Sequence, residues 1–193
     1  MIICITGQMA AGKNYIASKI VDSEITVDGS NNLPWVSIDL DKVVHSAMED
    51  PDVVARIQEA FGEIALTLGV ELVCKNGAVN RRSLGKVVFS DPALLKKQED
   101  IVYPFVIKAT KDFVEKHKDK NIIINATVLY KTPELLDMCS KVLFVKAPFI
   151  KRLIRARRRD KMPFRQIFSR FKAQSTLEEQ YRRTGKFMEV IEN

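Results

Sequence analysis

Ile2-Ile3-Cys4-Ile5-Thr6, followed by Gly7-Gln8-Met9-Ala10-Ala11-Gly12-Lys13-Asn14, decides how this chain is read. The first five residues form a short apolar run rich in β-branched side chains, the pattern of a strand buried on both faces. Gly7 to Gly12 breaks that run, and Lys13 to Val21 has helical spacing. The turn fits GxxxxGK with Asn in place of Ser or Thr. Such glycines let backbone N–H groups converge on phosphate oxygens. The helix that follows offers its positive end to the same anion, and Lys13 adds a full charge. A glycine turn with a solvated lysine is the competing reading, and the strand before and helix after argue against it. Asn14 stands where a hydroxyl normally ligates Mg²⁺. Its amide oxygen is the only metal ligand it offers.

Outward from this turn, apolar runs recur. Trp35–Ile38, Asn121–Asn125, Lys141–Lys146 and Phe187–Ile191 read as further strands, with helical segments between them. The β-α-β-α order predicts an open parallel sheet of five strands flanked by helices, with right-handed crossovers. Asp22–Pro34 reads as a loop. Residues 42–72 are helical in pattern, with breaks expected at Asp50-Pro51 and near Gly62 and Gly69. Asp91-Pro92 reads as a helix start, and a separate helix is expected after Pro104, to about Lys118. The 42–104 segment shows no clear strand and suggests a helical insertion.

Asp39 and Asp41 follow the second strand. Ligands of open parallel sheets bind at that edge, where a carboxylate can take a proton from an attacking hydroxyl or hold a metal's waters. An Asp-x-Asp also serves as a helix cap with a surface acid. Beside a phosphate loop the functional reading is preferred, with Asp41 as base and Asp39 in support. His45 either lines a substrate site or packs. His117, at a Lys-rich helix end, is expected to be solvated. No Cys/His cluster marks a structural metal site.

The 193 residues are 46% hydrophobic and 28% charged, an ordinary globular composition. No run approaches the roughly 20 apolar residues of a membrane span, and the amino end lacks the basic start and length of a signal peptide. Cys4, Cys74 and Cys139 are expected as reduced, mostly buried thiols of a cytoplasmic protein. The net charge of +7 is uneven: Lys151–Lys172 holds ten basic residues and one acid, Asp160. Such a run attracts phosphates. Nucleic acid is disfavoured as its partner, because Phe164, Phe168 and Phe171 fall at spacings of four and three, the pattern of a helix core face. The sequence carries no signal for an oligomeric state.

Taken in order, these pieces resemble the dephospho-coenzyme A kinase family over nearly the whole chain. The likeness rests on Thr6-Gly7 to Lys13, Ile38-Asp39-Leu40-Asp41, the block Asn80 to Pro92 (NRRSLGKVVFSDP), Ile101-Val102-Tyr103-Pro104, Arg155, Arg159-Asp160, Ala173-Gln174 and Val190–Asn193. It implies a P-loop kinase fold of class α/β. The core would be about 1–44 and 105–193, with a helical CoA domain at about 45–104 and a lid near 150–175. It implies ATP and Mg²⁺ as cofactors and dephospho-CoA as the small-molecule substrate, phosphorylated on its ribose 3′-hydroxyl in the last step of CoA synthesis. ATP would lie against Gly7, Gln8, Met9, Ala10, Ala11, Gly12, Lys13, Asn14, Arg159 and Asn193. Catalysis would fall to Asp41, Lys13 and Arg155, and substrate contacts to Asp39, His45, Arg81 and Tyr103.

Several positions depart from that pattern. Asn14 replaces the family's Ser/Thr, Asn125 its Asp after the third strand, and Tyr103 its His. Thr127 and Lys131 replace its Pro and Glu, and the family usually continues past the adenine-contacting Asn into another helix. Another nucleoside or nucleotide kinase of the same fold, or a weakened nucleotide-binding relative, are the competing functions. The 80–104 block favours the CoA reading.

Overall fold

The computed structural model describes all 193 residues, Met1–Asn193. They divide into two compact units, one of Met1–Asp39 with Asp112–Asn193 and one of Leu40–Lys111.

The first unit is built on five parallel strands, β1 (Ile2–Gly7), β2 (Trp35–Asp39), β3 (Asn121–Asn125), β4 (Lys141–Lys146) and β5 (Met188–Glu192). Their order across the sheet is β2-β3-β1-β4-β5. All the pairings are parallel, so crossovers are obligatory and both faces are covered. Ile3 and Ile5 of β1 face α1 (Lys13–Val21), packing with Ile16, Ala17, Ile20, Ile123, Leu143 and Val145. Cys4 and Thr6 alternate to the other face, where α9 (Leu177–Arg183) seats the fully buried Tyr181. The Tyr181 hydroxyl donates to the Thr127 carbonyl at 3.2 Å and accepts from Leu129 N–H at 2.8 Å. A buried phenol needs such partners.

The register sets the site. Asp39 lies opposite Asn125, Ile5 opposite Asn125 on the other side, and Gly7 opposite Val145. Gly7, Asp39 and Asn125 therefore all end their strands at the carboxyl edge of the sheet, where ligands of open parallel sheets bind.

After β4 the basic run folds into α7 (Phe149–Asp160) and α8 (Phe164–Ala173). Ala156, Ile167 and Phe171 are buried there with Met9 of the loop. The expected Phe face is only partly observed. Phe171 is buried, but Phe164 and Phe168 are about half exposed, because α8 turns Ile167 and Phe171 inward instead. Phe168 stacks on the equally exposed Phe149, with ring centres 6.1 Å apart.

The second unit holds α2 (Leu40–Ala47), α3 (Pro51–Thr67), α4 (Arg81–Val88) and most of α5 (Pro92–Lys116). Asp50 caps α3 by accepting from Asp52 and Val53 N–H at 3.0 and 3.2 Å, with Pro51 at the first position. α3 buries Val53, Ile57, Phe61 and Ala65, a stripe at i, i+4 spacing. The break expected at Gly62 does not occur. That stripe carries the helix through it, and termination waits for Gly69, at φ +64°. Nor do two helices meet at Pro104, which sits inside the single helix α5. Pro104 and Asp100, one turn before, are both exposed, so the carbonyl deprived of its donor lies on the wet face.

Cys4 and Cys139 are buried as expected, but Cys74 is exposed, in the turn between Val73 and Val79. Burial pushes the Cys139 thiol up to about 12 and raises Cys4 well above its ordinary value. His117 is half-buried rather than solvated, with Nδ1 at 2.8 Å from the Phe113 carbonyl. No helix is long and apolar enough to cross a membrane.

Candidate active site

Two glycines shape the phosphate loop between β1 and α1. A side chain at Gly7 would collide with the Val145 carbonyl oxygen, a backbone atom of the neighbouring strand. Gly12, the N-cap of α1, takes φ +102°, and a Cβ there would strike Asn193 Nδ2. Between them, Ala10 adopts the left-handed region at φ 60°.

The first half of the loop is gripped from α7 and from the end of α8. Arg152, 7% exposed, donates from Nε to the Met9 carbonyl at 3.0 Å and from Nη1 to Gln8 Oε1 at 2.5 Å. Its guanidinium lies over the Phe171 ring at 4.3 Å, and burial lowers its pKa. Its Nη2 is buried with no hydrogen-bond partner. Gln174 completes the grip, accepting from Met9 N–H at 2.6 Å and taking Gln8 Nε2 on its carbonyl at 2.9 Å.

The second half opens into a cleft of about 580 Å³. Ala10, Gly12, Lys13, Asn14 and Tyr15 form one wall, and Arg155, Arg158 and Arg159 the other. The amino end of α1 and four cationic side chains thus share one concavity, the electrostatics a polyphosphate requires. Lys13 Nζ donates to the Gly7 carbonyl at 3.0 Å, and Arg155 Nη1 to the Ala11 carbonyl at 3.3 Å. Asn193 Nδ2 donates to the same Ala11 carbonyl at 2.8 Å, while its N–H bonds the Lys146 carbonyl. Arg159 holds Asp160 bidentately at 2.7 and 2.9 Å, which keeps that carboxyl below the usual range.

At the strand edge, Asn125 Nδ2 donates to Asn14 Oδ1 at 2.8 Å, and Asn14 Nδ2 donates to Asp39 Oδ2 at 3.2 Å. An amide oxygen with a second lone pair and a carboxylate are hard oxygen donors. They suit Mg²⁺, which keeps most of its waters and takes one or two protein oxygens beside substrate phosphates. The donor set therefore fits the ion.

The remaining expected residues belong to the second unit. Asp41 lies exposed in the first turn of α2, and His45 is exposed one turn further on. Arg81 is the exposed first residue of α4, whose cap Asn80 accepts from Ser83 N–H at 3.2 Å. Tyr103 is half-buried on α5. Sequence reasoning missed Arg152. No local pattern singles it out among its basic neighbours, because its burial depends on where α7 begins.

A parallel five-stranded sheet carrying this loop, with a lysine and arginines converging on it, defines a P-loop kinase. The dephospho-CoA kinase family model matches residues 1–193. A dephospho-CoA kinase of Fusobacterium nucleatum is 30% identical over all of this chain and 89% of its own length. One of Treponema denticola is 30% identical over 94% of this chain and 77% of its own. A solved Thermus thermophilus structure covers the whole chain and 88% of its own at 25% identity and TM-score 0.76. A dephospho-CoA kinase from Campylobacter jejuni covers the whole chain and 87% of its own at 21% identity and TM-score 0.57, sharing the fold. The chain belongs to the dephospho-CoA kinase family.

Proposed function

We propose that this kinase transfers the γ-phosphoryl group of ATP to the ribose 3′-hydroxyl of dephospho-CoA. The 3′ oxygen forms a bond to the γ phosphorus, the bridging β–γ P–O bond breaks, and ADP leaves. The loop Gly7–Asn14 cradles the β and γ phosphates, and Lys13 sets its charge beside them. Arg155 and Arg159, from a lid formed by α7 and α8, meet the charge spread over the transferring group. Asp41 accepts the hydroxyl proton. Asn193 borders the adenine, and Asp39, His45, Arg81 and Tyr103 contact the acceptor. Asp39 and the Asn14 oxygen would hold Mg²⁺, which when bound neutralises phosphate charge.

The cationic cleft beside the glycine loop is the single observation that carries this reading, because its four cationic side chains answer the charge of a triphosphate. ATP consumption should require dephospho-CoA and should be absent with nucleosides and mononucleotides, by a coupled ADP assay. Asp41→Asn should lower kcat by about 10²–10⁴, the usual range for lost general-base catalysis, with ATP binding unchanged. A near-normal kcat in that variant overturns the role of Asp41.

A further inference from the structure

Asn125 ends β3 opposite Asp39 and is only 4% exposed. The hydrogen bonds from it run one way, from Asn125 Nδ2 to Asn14 Oδ1 and from Asn14 Nδ2 to Asp39 Oδ2. An ionised carboxylate only accepts, whereas an amide has one donor end and one acceptor end. Asp39 therefore takes the nitrogen end of Asn14 and turns the oxygen end toward position 125, which must then donate. A carboxylate at 125 would face that oxygen. Turning the amide over would set its oxygen against Asp39 instead. The same carboxylate would also stand beside Asp39 across adjacent strands, adding like-charge repulsion.

We propose that Asn125 is a positioning residue that fixes the amide of Asn14, and through it Asp39, where the metal–nucleotide is received. Residues 14 and 125 act as one matched unit. The strand edge then offers a cation one carboxylate rather than two, so the cation enters with the triphosphate and not before it. This inference rests on the reading of the site as an ATP site. The identity of the acceptor does not bear on it.

The test is a double-mutant cycle at the two positions. Mn²⁺ is the probe, its binding read by electron paramagnetic resonance with β,γ-imido-ATP and no acceptor, so that nothing turns over. A threonine hydroxyl both donates and accepts, so Asn14→Thr tolerates either group at 125. Replacing Asn125 by Asp should be at least tenfold more damaging with Asn14 present than in the N14T background. Asn125→Leu, which adds no charge, should weaken Mn²⁺–nucleotide binding at least fivefold beside Asn14 and less than twofold in the N14T background. Without nucleotide, N14T/N125D should bind Mn²⁺ at least tenfold more tightly than the native chain. Equal effects of the 125 substitutions in both backgrounds, or native binding of Mn²⁺ alone as tight as in the double variant, overturn the proposal. Native protein that fails to bind the nucleotide analogue at all overturns the ATP-site reading itself, a result separable from an additive cycle.

Discussion

The two halves of the phosphate loop are held in opposite ways. Gln8 and Met9 are closed in by α7 and α8, with four of their polar atoms committed to Arg152 and Gln174 and the Met9 side chain in an apolar cluster. Gly12, Lys13 and Asn14 instead line the open cleft, tied by contacts that polar ligands can exchange. The first half is held in shape by its neighbours, and the second half lies open beside the cationic side chains of the cleft. A buried cation with an unpartnered nitrogen is a costly way to hold a backbone. Its presence under Met9 marks shape as the property being fixed.

Lys13→Met should break the open half alone. The expected result is a fall in kcat of about 10²–10³, the range for losing one preorganised charge donor at a transition state, with the melting temperature nearly unchanged. Steady-state rates and thermal melts on the same preparation check it. A variant that loses stability and activity together would erase the distinction between the halves.

Arg152→Met should do the reverse. It keeps volume beside Phe171 but leaves the Met9 carbonyl and Gln8 Oε1 without their donors. Each unmet buried group costs about 1–3 kcal/mol, offset in part by removal of a desolvated guanidinium. The melting temperature should drop by several degrees while kcat stays within about threefold. A kcat loss as large as that of Lys13→Met would place Arg152 in the chemistry instead.

The smallest effect concerns thiols at two depths. Cys74 should react with a disulfide reagent within seconds at pH 8. Cys4 and Cys139 should react only on unfolding, because burial raises both pKa values and so keeps the neutral thiol. Counting fast and slow equivalents spectrophotometrically checks it. More than one fast equivalent would show the sheet opening locally.

Much of this was legible in the chain. β3 and β4 fall on the expected residues, because an apolar run buried on both faces has sharp polar ends. The loop was legible because its glycines answer local backbone demands. Arg152 was not. In a run of ten basic residues, composition cannot say which one points inward, since that depends on where α7 starts and on Phe171 from another helix. The Asn125–Asn14–Asp39 chain was hidden for a related reason. It depends on the register of three strands, which no local pattern encodes. The helix through Pro104 shows the converse, where a strong local signal gave way to a solvent-facing position.

The placement of β1 has a consequence for synthesis. It lies in the middle of the sheet, and its two partners, β3 and β4, begin only at Asn121 and Lys141. At translation rates of about 5–20 residues per second, Ile2–Thr6 is synthesised roughly 6–24 s before either neighbour. During that interval the apolar segment has neither of its two neighbouring strands to pair with, and the central strand of the sheet waits on the last third of the chain.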